Sequence, residues 1–276
     1  MSDTIIGVDL AKRVFQVHGT DQVGNVKFRK KLTREQFQKF MTEQPECTVI
    51  LEACASASYW AREMIAMGHC AKLIAPQYVK PFVKRQKNDA ADAEAIAIAA
   101  RQPEMRFVVP KTAEQHSKAV LFRGRQRLVH QRTELINALR ATLYECGHVF
   151  PVGIGALKRM DELVNDPGWS LPALILSECK DMLAQIAEKT ERIEAKNTQI
   201  KTLAAEGDSA RCLQTMPGVG PMTALAVEAF APDMVQFKCG RDFVAWLGLV
   251  PKQHSSGERS GLAKSRRPVK ATFDGF

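Results

Sequence analysis

The chain has 276 residues, enough for two domains and a connecting segment, because single domains usually hold about 100–200 residues. Its 39 lysines and arginines outnumber its 30 acidic residues, and the net charge of +9 favours a polyanionic partner such as nucleic acid, although charge alone leaves open a basic protein without one. Seven scattered cysteines without a CxxC pair, the lack of a signal-peptide pattern and the lack of an apolar run of about 18 residues argue against zinc-ribbon, secreted and membrane-spanning classes. We therefore expect a cytoplasmic protein with reduced thiols and no membrane partner.

The first hundred residues alternate between strand and helix patterns. The segments TIIGVDLA, VFQVHGT and VKFRKKL have the pattern of strands, and TREQFQKFMTEQ that of a helix with Thr33 as its N-cap. The β-branched run CTVILEAC favours a central strand, ASYWAREMIAMG a helix closed by Gly68, and AKLIAP a fifth strand stopped by Pro76. The pattern predicts an α/β domain over residues 1–110, in which an antiparallel meander is followed by crossover units in a sheet of about five strands.

Two long helical stretches come next. The first runs from Thr112 to about His148 and is rich in basic residues, and the second runs from about Leu171 to Ala205. In the second stretch an apolar heptad repeat is formed by Cys179, Ile186, Ile193 and Ile200. The repeat predicts an antiparallel coiled-coil arm or a dimer seam over residues 111–207, with a plain helical bundle as the alternative.

A glycine-rich turn separates two further helical segments in RCLQTMPGVGPMTALAVEAF. Gly218 and Gly220 would let backbone N–H groups approach a phosphate, as in a helix-hairpin-helix unit, and a purely structural Gly-Pro turn is the alternative. Another helix, CGRDFVAWLGLVP, leads to KQHSSGE and a basic tail for which we expect no regular structure. These features predict a helical domain over residues 208–257 and a tail over residues 258–276.

Four acidic residues occupy positions that predict a metal site. Asp9 and Glu52 each end an apolar strand, where a carboxylate is costly without a partner, and Asp89 and Asp92 open a helix with an i, i+3 spacing that can point both the same way. For the two helix residues alone, attraction to the helix dipole is the alternative explanation. Four converging carboxylates repel one another unless divalent cations neutralise them, which predicts a two-ion Mg2+ site, with Mn2+ as a substitute, for phosphoryl transfer.

Six segments between Ile5 and Gly257 form an ordered series: GVDLAKRVFQVHG, LEACASASYWAREM, LIAPQYVKPFVKRQKNDAADAEAIAIAA, MRFVVPKTAEQHS, TMPGVGPMTALAV and WLGLVPKQHSSGE. In order and spacing they resemble the DEDD transposases of the insertion-sequence one-ten/eleven-eleven family, which are relatives of the pilin-gene invertases. The resemblance implies a RuvC-like, ribonuclease-H-type domain joined through a coiled coil to a helical transposase domain. It also implies dimers or tetramers on DNA, at both the element ends and the target, in the nucleoid of a bacterial cytoplasm.

The resemblance further implies which residues act. The four acids of the family motif fall on Asp9, Glu52, Asp89 and Asp92. The family's serine nucleophile, which forms a covalent phosphoserine link to DNA, falls on Ser256, with Ser255 as the alternative. A metal-carboxylate centre would give this serine the activation that a hydroxyl needs. Similar proteins are guided by a bridge RNA that pairs with target and donor DNA, so a guide RNA is an expected partner.

Basic residues near these motifs are candidates for phosphate contacts that position DNA without reading its sequence. Ordinary solvation of a protein surface is the alternative for each residue taken separately. The candidates are Lys80, Lys84, Arg85, Lys87, Arg123, Arg125 and Arg127.

The sequence departs from the family pattern in two places. Around Glu52 the usual small-residue and glycine pattern is replaced by ACASAS. After SSG, a segment of the form GK(V/I)(S/T)K.G...(L/I)RRLL is expected, but the chain has GLAKSRRPVKATFDGF. With permissible codons for these tail residues, a reading shifted by two nucleotides gives PGKVTKAGQGDIRRL, which is close to the expected segment. We therefore hypothesise a frameshift near Glu258 to Gly261. On that hypothesis recombination by this chain is weak or absent.

Taken together, the residues and the resemblance predict a transposase that cuts and rejoins DNA with a carboxylate tetrad and a serine nucleophile. Two alternatives remain at this point. One is a RuvC-like, metal-dependent nuclease with water as the nucleophile, and the other is a truncated, inactive nucleic-acid-binding remnant.

Overall fold

The computed structural model describes residues 4–83, 89–169, 171–248, 253–256 and 259–262. The chain divides into two compact units, Met1–Thr112 with Pro232–Phe276, and Ala113–Ala231. Among the described residues, no helix is both long enough and apolar enough to cross a lipid bilayer.

A mixed sheet forms the centre of the first unit, with its strands in the spatial order β3-β2-β1-β4-β5-β6. In chain order the strands are β1 (Ile5–Leu10), β2 (Val14–Thr20), β3 (Val26–Thr33), β4 (Thr48–Glu52), β5 (Cys70–Ile74) and β6 (Phe107–Val108). The predicted antiparallel meander, β1 to β3, is confirmed, and β1, β4 and β5 are parallel. The short strand β6, which pairs antiparallel with β5, adds to the five strands that the sequence predicts.

Helices cover both faces of this sheet. On one face, α1 (Arg34–Thr42) and α2 (Ala57–Ala66) close a core that contains Val8, Leu51 and Trp60. On the other face, after the single turn α3 (Pro76–Val79), the helix α4 (Asp89–Ala99) packs Ile96 into a second cluster with Ile50. The sheet is therefore the middle layer of an α/β sandwich, as the alternating sequence pattern predicts.

The start of α1 shows how local sequence determines an element boundary. The Thr33 hydroxyl accepts a hydrogen bond from the Gln36 backbone N–H at 3.3 Å, and the Gln36 side-chain oxygen accepts one from the Thr33 N–H at 2.9 Å. This capping box satisfies two backbone donors that the first helical turn leaves without partners. The predicted N-cap at Thr33 is confirmed.

Two long antiparallel helices dominate the second unit, α5 (Ala113–Glu145) and α7 (Ala173–Glu206). The Arg125 Nε donates to Asn197 Oδ1 at 2.5 Å, and the Arg132 Nη1 donates to Thr190 Oγ1 at 3.5 Å. Residue numbers increase along α5 while those of the contacting residues decrease along α7, so the two helices are antiparallel. The four heptad residues of α7 are all buried within this single chain. The stripe is thus an intrachain seam, and the coiled-coil arm stays a prediction.

The second unit also contains three shorter helices, α6 (Leu157–Val164), α8 (Asp208–Gln214) and α9 (Pro221–Phe230). A further short helix, α10 (Gly240–Trp246), belongs to the first unit. The predicted helix around CGRDFVAWLG corresponds to α10. Helix α6 is not predicted from the sequence, and its buried Met160 and Val164 pack in one cluster with Leu139 of α5 and Ile186 of α7. This helix has eight residues, too few to be stable alone, so its stability comes from tertiary packing.

The expectation of no regular structure after KQHSSGE is wrong, because the backbone of the next residues forms a β-strand. The strands β7 (Gln253–Ser256) and β8 (Arg259–Leu262) pair antiparallel, with Ser256 opposite Arg259. A hairpin needs a turn-forming sequence and backbone pairing more than an apolar repeat, and Gly257 lies in sequence between the two strands. The absence of helical periodicity therefore did not exclude regular structure.

An ion pair between α5 and α9 gives a test of the packing in the second unit. Lys118 Nζ lies 2.7 Å from carboxylate oxygens of both Glu114 and Glu228, but the Glu114 side chain is 77% exposed and that of Glu228 only 13%. Burial alone would lower the pKa of Lys118, but hydrogen bonds and charge from the two glutamates outweigh it and the pKa is raised. The stabilisation is therefore fully present below the unfolded-state pKa of lysine and is lost as the pH rises above about 10.

We expect Glu228→Gln to lower the free energy of unfolding by about 1.5–3 kcal/mol, because a charged hydrogen bond at a mostly buried site is lost. Glu114→Gln, which removes the exposed partner of the same lysine, is the matched control and is expected to have a smaller effect because solvent screens it. Urea unfolding of both variants at neutral pH measures the difference. Equal effects of the two substitutions would contradict the packing of α5 on α9.

Candidate functional site at the strand ends

Asp9 and Glu52 lie side by side at the carboxyl ends of two neighbouring parallel strands. The last matched pair of β1 and β4 is Val8 with Leu51, and each acid is the residue that follows. Val8 and Leu51 are buried in the core beneath α1 and α2. Because side chains alternate along a strand, Asp9 and Glu52 point to the opposite face, where α4 lies. Both carboxyl side chains are partly buried and neither lacks an interaction partner.

A close contact at Gly7 determines the position of α4 over this face. A Cβ atom on Gly7 would lie 2.5 Å from the Ala93 carbonyl oxygen and 2.8 Å from the Ala97 nitrogen, so only glycine allows this approach. Ile5, at the start of β1, packs against the cluster that contains Ala99, at the end of α4. The helix therefore runs antiparallel to β1, and its first residues lie towards the strand end that carries Asp9.

The two helix acids are placed at the start of α4, as the sequence predicts. Asp89 is the first residue of the helix, and Asp92 is partly buried and directly precedes Ala93, the residue that contacts Gly7. The side chain of Asp89 lies outside the described part of the chain. Among the side chains that are described, no three His, Cys, Asp or Glu residues form a group that could hold a metal ion. The structure thus brings Asp9 and Glu52 together, and the full tetrad stays a prediction.

A row of polar side chains, which was not predicted from the sequence, continues from the acidic pair across the sheet. Asp9 pairs with Gln16 of β2, and Gln16 pairs with Lys31 of β3, so all three side chains lie on the α4 face. The next pair of residues on the same face is His18 with Arg29. Arg29 donates from Nε to His18 Nδ1 at 3.4 Å and forms a 3.7 Å ion pair with Glu94. The alternation in VKFRKKL indicates which lysines share a face, but the register that places Lys31 beside Gln16 requires the structure.

The predicted phosphate-binding basic residues lie in different environments. Lys80 is exposed at the start of a 3-10 turn, Lys80–Phe82. Arg123 and Arg127 are exposed on α5, whereas Arg125 is partly buried and bonded to Asn197. The remaining candidates, Lys84, Arg85 and Lys87, lie outside the described residues. Arg125 thus has a structural contact of its own, and the nucleic-acid contacts stay predictions.

The glycine-rich turn lies between α8 and α9, as the sequence predicts. Gly218 has φ +84°, a left-handed conformation that favours glycine, and Gly220 is the N-cap of α9. An added Cβ at either glycine would meet no atom within 4 Å, so the turn has free space around it. This geometry is compatible with close approach of a phosphate, and the helix-hairpin-helix function stays a prediction.

The backbones of Ser255 and Ser256 belong to β7. Their side chains lie outside the described part of the chain, and the assignment of the nucleophile stays a prediction.

Models of two protein families match parts of this chain. A DEDD transposase model of the IS110 type matches residues 6–148, and a model described as "Transposase IS116/IS110/IS902 family" matches residues 210–272. The second match includes most of the basic tail over residues 258–276, and the frameshift hypothesis stays untested.

Curated relatives are similar over most of the chain. A "Probable family 20 transposase" of Pseudomonas aeruginosa is 45% identical over 93% of this chain and 77% of its own length. The transposases for insertion sequence elements IS1328 of Yersinia enterocolitica and IS1111A of Coxiella burnetii are each 38% identical over 94% of this chain, covering 77% and 71% of the relatives. Among solved structures, Thermus thermophilus RuvC in complex with a Holliday junction substrate gives a TM-score of 0.31 at 13% identity, over 38% of this chain and 99% of that one.

The family matches and the curated relatives define a transposase, an enzyme class that cuts and rejoins DNA. The chain belongs to the IS116/IS110/IS902 transposase family.

Proposed function

We propose that this chain cuts and rejoins DNA at a metal site formed by Asp9, Glu52, Asp89 and Asp92 in a RuvC-like domain. The observation that carries the proposal is the placement of Asp9 and Glu52 on adjacent parallel strand ends, on the face that α4 covers. The antiparallel direction of α4 supports it, because the first turn of α4 lies towards the same end of β1. The family supplies the reaction class, because transposases cut and rejoin DNA.

The donor set fits Mg2+. Carboxylate oxygens are the hard ligands that Mg2+ and Mn2+ prefer, and two of them lie on neighbouring strands in register. When bound, the ions would neutralise the carboxylates, favour deprotonation of the attacking oxygen and stabilise charge on the leaving oxygen. Asp9 and Glu52, on a rigid sheet, would orient this site, while α4 shields one side of it from water.

Ser256 is the proposed nucleophile of strand exchange. Its Oγ gives up a proton and forms a bond to phosphorus, while the phosphorus–oxygen bond to one deoxyribose breaks and the leaving sugar oxygen takes up a proton to become a hydroxyl group. Attack of a deoxyribose hydroxyl on the phosphoserine then restores a phosphodiester and releases the serine. The energy of the first phosphodiester is thereby retained for the joining step.

The proposed partners follow from the same function. Element ends and target DNA would be the substrates, held by a dimer or tetramer of this chain, and a bridge RNA would select the two DNA sites by base pairing. The net charge of +9 supports contact with polyanions of either kind.

The adjacent serines allow a direct test of the nucleophile. With element-end DNA, target DNA and the cognate RNA, we expect Ser256→Ala to abolish both the covalent protein–DNA adduct and strand joining, because no other oxygen replaces the serine Oγ. Ser255→Ala, the matched control one residue away, is expected to keep both. Adduct formation is measured by denaturing gel electrophoresis with labelled DNA.

Two results would contradict the serine mechanism. Strand joining by Ser256→Ala at the normal rate would remove Ser256 from the reaction. Cleavage without any adduct in the unmodified chain would indicate that water is the nucleophile, as in a metal-dependent nuclease.

A further inference from the structure

A cation lies in register with the acidic pair, two strands away. The pairs Asp9–Gln16 and Gln16–Lys31 form one row across β1, β2 and β3, perpendicular to the strands. Directly paired residues point to the same side of a sheet, so the row presents a carboxylate, an amide and an ammonium group on one face. The order of these groups changes from acidic to basic over two strand spacings, roughly 10 Å.

The opposite face of β3 is occupied by core packing. Phe28 and Leu32 pack against the cluster beneath α1, and Lys30, on the same side, has its Nζ 5.0 Å from the centroid of the Phe40 ring. Lys31 therefore points away from that core. Its side chain is exposed, and among the described residues the ammonium group forms no hydrogen bond or ion pair.

The other basic side chains of β3 are already engaged. Arg29 is held by Glu94 and His18, and Lys27 Nζ donates to Thr4 Oγ1 at 2.7 Å. Lys31 is thus the cation of β3 that is available to a ligand lying along the row of Asp9, Gln16 and Lys31.

We propose that Lys31 is a DNA-positioning residue, which contacts a phosphate of the same strand that is cut at Asp9 and Glu52. The inference rests on the proposed function, because the acidic pair would hold the cleaved phosphate. Two strand spacings separate the acidic pair from Lys31 by about 10 Å, so the Lys31 contact would fall on a phosphate within a few nucleotides of the cut. Gln16, between the two, can donate its amide N–H groups to the intervening backbone.

This arrangement has a physical purpose in a phosphoryl-transfer enzyme. The acidic pair repels every phosphate except the one bound through cations, so the flanking strand needs a cationic contact at a fixed distance. A contact on the rigid sheet that carries Asp9 fixes the register of the strand at the site, and small displacements at such a site slow the reaction strongly.

Neighbouring lysines on opposite faces of β3 provide the test. In the full chain, Lys31→Gln removes one charge from the face of β3 that carries the row, and Lys30→Gln removes one charge from the opposite face. For Lys31→Gln we expect the salt dependence of binding to a short labelled DNA duplex to fall by about 0.9 in the log–log slope, the value for one lost phosphate contact. We also expect kcat/KM for cleavage to fall about tenfold at fixed salt, a change of about 1.4 kcal/mol. Lys31→Arg, which keeps the charge, is expected to restore both.

The outcomes separate this inference from the proposed function. Equal salt slopes and equal cleavage for Lys31→Gln and Lys30→Gln would overturn the role of Lys31 and leave the metal site in place. An effect of Lys31→Gln that is confined to an RNA of equal length would overturn the DNA assignment. Cleavage that persists unchanged in Asp9→Asn would reject the proposed function, and the inference with it.

Discussion

Replacing Asp9 with asparagine, or Glu52 with glutamine, is expected to lower the rate of DNA cleavage by at least about a thousandfold, or roughly 4 kcal/mol of transition-state stabilisation. Each substitution keeps the size of the side chain and removes the charge that holds a divalent cation. Since the two residues end neighbouring strands in register, both variants should lose the same step. Single-turnover cleavage over a range of Mg2+ and Mn2+ concentrations measures the loss.

Glu46→Gln is the matched control for this pair. Glu46 is exposed and lies just before β4, whereas Glu52 is the last residue of the same strand. We expect Glu46→Gln to change the cleavage rate by no more than about twofold, because surface substitutions away from a site change free energies by about 0.5 kcal/mol or less. DNA binding by Asp9→Asn should persist, which distinguishes lost chemistry from lost folding. Full cleavage by either Asp9→Asn or Glu52→Gln would refute the site.

The second large effect is expected for Gly7→Ala. A methyl group on Gly7 would meet the Ala93 carbonyl and the Ala97 nitrogen, and both are backbone atoms that cannot rotate away. Helix α4 must then shift from the sheet, and we expect a loss of about 3 kcal/mol in the free energy of unfolding, at the upper end of overpacking costs. Because α4 carries Asp89 and Asp92, cleavage by the folded fraction should fall as well.

Gly124→Ala provides the comparison for Gly7→Ala. Gly124 lies within α5, and an added Cβ would lie 3.5 Å from Lys196 Cε, an ordinary contact. Alanine favours a helix over glycine by about 0.5–1 kcal/mol, so this variant should be as stable as the parent or more stable. Denaturant unfolding followed by circular dichroism measures both. If Gly7→Ala unfolds at the same denaturant concentration as the parent, the close approach of α4 to β1 is wrong.

Local sequence determines the parts of the fold that were predicted. Thr33 and Gln36 form a capping box within one helical turn, and the β-branched run ending at Glu52 has the pattern of a buried parallel strand. The start of α4 at Asp89 follows from the same kind of local pattern. The strand-end placement of Asp9 and Glu52 could therefore be read from the sequence, because each acid lies at the end of an apolar run.

Features that depend on tertiary contacts were not predictable in the same way. The short strand β6 exists because β5 offers it a partner, and α6 is stabilised by the packing of Met160 and Val164 against longer helices. The row from Asp9 to Lys31 depends on two strand registers, and a shift of one residue would turn Lys31 to the other face. Sequence patterns give the alternation along each strand but not the alignment between strands.

The charge on β3 has a consequence for the behaviour of the protein in concentrated solution. β3 is one edge of the sheet and the two-residue β6 is the other. Unpaired backbone groups on a sheet edge attract strands from other molecules, and lysines on an edge, or a very short edge strand, suppress such pairing. The segment KFRKK thus protects one edge against aggregation while β6 is too short to recruit a partner at the other. Neutralising several of these residues together would remove that protection along with any contact to DNA, so we expect β3 to tolerate single charge changes better than multiple ones.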